Sequence, residues 1–266
     1  MKSRILVAAI GVPVLLYVVL AGPPLLMMAA LCLLAGIGAM ELQQCVSGVK
    51  RSELVGMSAI GAVFTVGWYY DRPDQAAVLF LLEVLVFFGF AIRKGGEFKF
   101  QQIAAGLGGG IFIGYSFAAF LRMDAAGLHR AYLLLPFLLS FACDTFAFFA
   151  GLSFGRHKLA PKVSPKKTIE GSVGGLVGNV ACGLLFVWVM GRFFGGCVIG
   201  YGPMALMALA CGVVAQVGDL SFSLIKREFG VKDYGRIFLE HGGVLDRFDS
   251  VLFVAPAVEI IFRFLA

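Results

Sequence analysis

Long apolar runs, separated by short polar breaks, decide what this chain can fold into. Crossing a bilayer takes about 20 apolar residues in a helix, and runs of that order recur along all 266 residues. The runs are continuous rather than alternating, so they do not read as strands of a membrane barrel. They predict nine helices, near residues 5–21, 24–46, 53–70, 76–92, 102–121, 131–151, 170–191, 197–227 and 246–265. The expected fold class is therefore all-α, a polytopic integral membrane protein. A hydrophobic share of 60% with only 14% charged residues excludes a water-soluble globule, whose apolar usage is about 45–50%. The first run follows Lys2 and Arg4 and ends Val19-Leu20-Ala21, in the manner of a cleaved signal peptide. Because another apolar run follows at once, an uncleaved first helix is expected.

The sequence predicts one membrane domain over 1–266, with N-terminal helices (1–130) for packing and a second half (131–266) that carries the chemistry. Orientation follows from charge. With nine spans, five of the 22 Lys and Arg residues (Arg72, Arg122, Arg130, Arg192 and Arg263) fall on one side, leaving 17 on the other. Positive charge is retained on the cytoplasmic side, so the N-terminus and the main basic clusters are expected there. Two ladders of small residues, Gly106/Gly110/Gly114 and Gly171/Gly174/Gly175/Gly178, let helix backbones approach closely. They predict packing within one subunit and leave a homodimer open. The six cysteines form no CxxC pair and the three histidines are scattered, so neither disulfides nor zinc are expected. The phosphate-binding Gly-rich motifs of soluble folds are absent.

Polar residues within apolar spans carry the functional signal. Gln216, Asp219, Ser223 and Lys226 are spaced by three and four, which aligns them on one helix face, and Arg227 follows. The ninth helix opens with Asp246, Arg247, Asp249 and Ser250, and Asp246, Asp249 and Ser250 again share a face. Six charged groups facing lipid would cost roughly 15–21 kcal/mol on insertion scales, so they must face one another, water or an ion. A structural ion-pair network is the plain reading. The sharper one is a metal and phosphate site: Mg²⁺ takes one or two carboxylates plus phosphate oxygens and water, and Lys and Arg balance the remaining phosphate charge. Candidate metal ligands are Asp144, which is deep in the sixth apolar run, with Asp219, Asp246 and Asp249.

Arg156, Lys158, Lys162, Lys166 and Lys167 interleave with Pro161 and Pro165 in the largest loop. Attraction to anionic headgroups would explain the charge alone, whereas the prolines argue for a shaped loop. His241, in Glu240-His241-Gly242-Gly243, suits phosphate binding, proton transfer or a turn cap.

The run SLIKREFGVKDYGRIFLEHGGVLDRFD, Ser223 to Asp249, resembles the C-terminal signature of the CDP-diacylglycerol synthases, also called phosphatidate cytidylyltransferases. The matching positions are Ser223, Lys226-Arg227, Lys232-Asp233, Gly235, His241-Gly242-Gly243, Asp246-Arg247 and Asp249. Leu239 departs from the proline, glycine or serine usual there. KLAPKVSPKKTIEG, Lys158 to Gly171, and Asp144-Thr145 are also similar to the family pattern, so the resemblance covers about the last 125 residues.

It implies an enzyme in which the phosphate of phosphatidic acid attacks the α-phosphorus of CTP, releasing pyrophosphate. Asp219, Lys226, Arg227, Asp246 and Asp249 are then expected to be catalytic, and Lys166, Lys167, Ser223, Lys232, His241 and Arg247 to bind substrate. Mg²⁺ is the expected cofactor, with a second cation left open. Expected partners are CTP, phosphatidic acid and the bilayer, without nucleic acid, in the cytoplasmic membrane of a bacterium. The rivals are a CTP-dependent enzyme acting on another membrane lipid, such as an isoprenoid alcohol, and a cation-coupled transporter.

Overall fold

Helices account for most of the backbone in the computed structural model, which describes residues 9, 11–48, 52–71, 75–235, 237 and 242–265. They are α1 (Gly11–Ala21, its last turn Tyr17–Ala21 π-wound), α2 (Pro24–Ser47), α3 (Ser52–Asp71), α4 (Ala76–Arg93) and α5 (Phe100–Ala125). A 3₁₀ turn (Arg130–Leu134) leads into α6 (Leu135–Phe154), and α7 (Ile169–Phe193), α8 (Tyr201–Glu228) and α9 (Leu245–Leu265) complete the set. Each predicted apolar run thus contains a helix. Among the described residues five segments are long and apolar enough to cross a membrane: Pro24–Ser47, Phe100–Ala125, Arg130–Phe154, Ile169–Phe193 and Tyr201–Glu228.

One departure from an all-helical chain lies where the sequence asks for a shaped loop. Strands β1 (Lys158–Ala160) and β2 (Ser164–Thr168) pair antiparallel, with Lys158 opposite Thr168 and Ala160 opposite Ser164. Proline lacks an N–H and is confined to edge positions in sheets; a two-stranded ribbon is all edge, so Pro165 is tolerated. The Ile169 N–H donates to the His157 carbonyl at 2.9 Å, closing the base of the hairpin.

The chain divides into two units. The first comprises residues up to Leu133 together with Glu228–Phe248. Helix α5 packs on α3 through the first glycine ladder and on α2 through Gly109 beside it. A Cβ on Gly114 would stand 2.7 Å from the Ala62 carbonyl oxygen, and one on Gly109 would stand 2.8 Å from a Leu42 methyl. The second unit comprises Leu134–Arg227 and Asp249–Ala266. Here α7 lies against α6 through the second ladder: a Cβ on Gly171 would sit 2.7 Å from the Ala147 carbonyl oxygen, and one on Gly175 would sit 2.8 Å from that of Cys143. Both ladders therefore serve packing within the chain, as the shared small faces predict.

Candidate active site

The polar stripe of α8 is real, and in the second unit it meets three other elements. Asp219 is ion-paired with Lys167 at the end of β2, and its Oδ1 accepts from the Ser223 hydroxyl one turn on, at 3.3 Å. Three residues before it, Gln216 is tied to α7: its Nε2 donates to the Ser172 carbonyl at 3.0 Å, and the Ser172 hydroxyl donates to its Oε1. Gln216 Nε2 also approaches Cys143 Sγ on α6 at 3.6 Å. The spacing of three and four thus becomes a single face of contacts.

From α9, Ser250 brings a second acid into reach. Its hydroxyl donates to Asp144 Oδ2 on α6 at 3.4 Å, and its N–H donates to Asp249 Oδ1 at 2.7 Å. Ser250 thus links Asp144 on α6 with Asp249 on α9. Lys226 is only 9% exposed. A buried ammonium needs neighbouring charge or hydrogen bonds in compensation.

The hairpin is fixed at both ends. At its base, Thr168 caps α7 by accepting the Gly171 N–H at 3.1 Å, one of the orphan donors of a helix start. Glu170 in the first turn accepts the N–H groups of Arg156 and His157 at 3.1 and 3.2 Å, and its Oε1 lies 2.7 Å from His157 Nδ1. At the tip, Arg227 Nε donates to the Val163 carbonyl at 3.3 Å. Lys166 and Lys167 are therefore presented by a braced ribbon.

These elements enclose a cavity of about 400 Å³. Asp144, Lys166, Lys167, Ser172, Gln216 and Asp219 supply its polar lining, and Phe148, Leu152 and Leu159 are among its apolar lining residues.

The remaining expected residues lie in the first unit. The Asp246 carboxylate, at the head of α9, accepts the N–H groups of Tyr234 and Gly243 through Oδ2 at 2.8 and 2.9 Å. Lys232 and Arg247 are exposed. His241 falls outside the described residues, as does Leu239. Sequence reasoning passed over Ser172, Thr168 and Glu170, whose signals were present. A threonine before an apolar run with acid in the next turn reads as a helix start, and Ser172 is a polar residue in a glycine-rich face.

Helices apolar enough for a membrane, combined with a cavity lined by acids, lysines and apolar side chains, define an integral membrane protein with a charged pocket. The cytidylyltransferase family model matches residues 2–265. A phosphatidate cytidylyltransferase of Staphylococcus haemolyticus is 34% identical over 265 residues, covering 98% of each chain. Those of Staphylococcus saprophyticus and Staphylococcus aureus (strain COL) are each 35% identical, again with 98% of both chains covered. The chain belongs to the cytidylyltransferase family. It is a nucleotidyl-transferring enzyme, which sets aside the transporter.

Proposed function

We propose that this chain forms CDP-diacylglycerol and pyrophosphate from CTP and phosphatidic acid at the cavity beside Asp219. A phosphate oxygen of the lipid forms the new bond to the α-phosphorus of CTP. The bond from that phosphorus to the bridging oxygen breaks, and pyrophosphate leaves with the electron pair. The observation that carries this reading is a cavity whose lining combines Lys166, Lys167, Asp144 and Asp219 with the apolar side chains of Phe148, Leu152 and Leu159. Transfer of this kind needs in-line positioning and charge stabilisation more than a protein nucleophile, because the lipid phosphate supplies the attacking oxygen.

Lys166 and Lys167 neutralise substrate phosphate, and Lys226 and Arg227 extend the cationic field along α8. Ser223 holds the Asp219 carboxylate, and Asp246 acts from the head of α9. Lys232, His241 and Arg247 take the substrate-binding roles that the family signature assigns them. The acids fit a divalent cation. Among the described residues no three His, Cys, Asp or Glu side chains form a ready cage, but Mg²⁺ is satisfied by one or two carboxylates with phosphate oxygens and water. Asp144, Asp219 and Asp249 are hard donors of that type. When bound, the ion would neutralise charge developing on the phosphates. Given nine spans in the cytoplasmic membrane, the 17 to 5 charge bias and the cytoplasmic supply of nucleotide support an orientation with the site facing the cytoplasm.

Purified protein incubated with labelled CTP, phosphatidic acid and Mg²⁺ is expected to yield CDP-diacylglycerol and pyrophosphate in equal amounts. Chelation of the cation stops the reaction and added Mg²⁺ restores it. A folded preparation that makes neither product, or one that phosphorylates an isoprenoid alcohol and releases CDP instead, would sink the reading.

A further inference from the structure

Glu41 lies in α2 and is only 4% exposed, although a charge inside a membrane helix costs about 2.5–3.5 kcal/mol on insertion scales. Its partners lie far along the chain. Oε1 accepts the Val244 N–H at 3.0 Å and Oε2 accepts the Leu245 N–H at 2.9 Å. These donors stand at the start of α9, where the first N–H groups have no partner within the helix and where the helix dipole favours negative charge. Asp246 holds the preceding N–H, that of Gly243, together with that of Tyr234. Two carboxylates thus bind three consecutive N–H groups along the entry to α9.

Glycine makes the approach feasible. A Cβ on Gly235 would lie 2.9 Å from the Glu41 Cδ, and one on Gly243 would also run into that carboxyl. Gly242 adopts a positive φ of 83°, and a Cβ there would stand 2.7 Å from Asp246 Oδ2.

We infer that Glu41 is a positioning residue for cytidylyl transfer: its carboxylate sets where α9 begins and so fixes the orientation of Asp246. Each residue of an α-helix turns by about 100°, so a start displaced by one residue points Asp246 away. Glu41 itself touches no substrate. The inference rests on the proposed reaction and adds to it a residue from the opposite end of the sequence.

The test uses the full chain in lipid nanodiscs. Phosphatidic-acid-dependent turnover of labelled CTP gives kcat and both KM values, amide exchange is followed across residues 242–248, and thermal stability is measured on the same samples. Glu41→Gln keeps the volume and one acceptor but sets an NH₂ against a backbone N–H. It is expected to speed exchange at Val244 and Leu245 and to lower kcat at least tenfold, with both KM values within twofold. Gly243→Ala, which crowds the carboxyl without removing it, is expected to give the same kcat loss. A Glu41→Gln protein with kcat within twofold of wild type, or with unaltered exchange, overturns the inference while leaving the reaction intact. Should Glu41→Gln not fold, Gly243→Ala decides alone, and near-normal kcat there overturns it. Absence of CDP-diacylglycerol formation by the folded wild-type chain instead removes the proposed reaction, and the positioning role with it.

Discussion

Asp219 answers to two groups at once, the Lys167 ammonium and the Ser223 hydroxyl, which makes it the residue whose role is easiest to separate from mere packing. Asparagine keeps its shape and removes the charge that a hard cation prefers. Asp219→Asn and Asp249→Asn are each expected to lower kcat by on the order of 10²-fold or more, the scale for losing one electrostatic stabiliser of a transition state, with thermal stability nearly preserved. Were these acids only ion-pair partners, the same changes would strand Lys167 or Lys226 and reduce stability by roughly 3–5 kcal/mol. Turnover and melting measured on the same preparations tell these apart. The alignment of Asp219 with Ser223 and Lys226 was legible from spacing. That Lys167, 52 positions earlier by the numbering, would pair with Asp219 was not, because nothing local connects them.

The hairpin is the element on which substrate affinity should depend most. Lys166→Ala with Lys167→Ala is expected to raise the KM for CTP or phosphatidic acid at least several-fold, because β1 and β2 remain pinned by Thr168, Glu170 and Arg227. Unchanged steady-state constants in the double variant would reduce the basic loop to a topology signal. The glycine ladder makes an opposite demand, on stability. Gly175→Val would push a side chain into the Cys143 carbonyl, 2.8 Å from where a Cβ would stand. Overpacking of this kind costs about 1–3 kcal/mol, so a lower melting temperature is expected. The strands themselves could not be read from the sequence. Three and five residues are too short for a periodic signal, and only Pro161 and Pro165 hinted at a fixed shape.

For the molecule as a whole, the testable quantity is sidedness. Single cysteines at Lys162 and Arg130, in a background without the native six, are expected to react with impermeant reagents from opposite faces of sealed vesicles, with Lys162 on the cytoplasmic face. Labelling of both from one face would overturn the nine-span topology. The charge bias behind this expectation is a property of the whole sequence, since positive-inside retention acts on the sum of short-loop charges rather than on any one lysine.

That the chain is helical and membrane-bound follows from its continuous apolar runs, which leave the backbone no other way to satisfy its hydrogen bonds in lipid. The acidic and basic stripes of α8 and α9 follow from the sequence likewise, because three- and four-residue spacing is a local consequence of helix geometry. Which stripe residues meet which partners depends instead on how the elements pack in three dimensions. Lys167 reaches Asp219 because a braced ribbon delivers it, Ser250 reaches Asp144 across helices, and Glu41 closes on amides 203 and 204 residues away. Such pairs depend on where packed glycines let helices approach, and that distance is written in no local stretch of sequence.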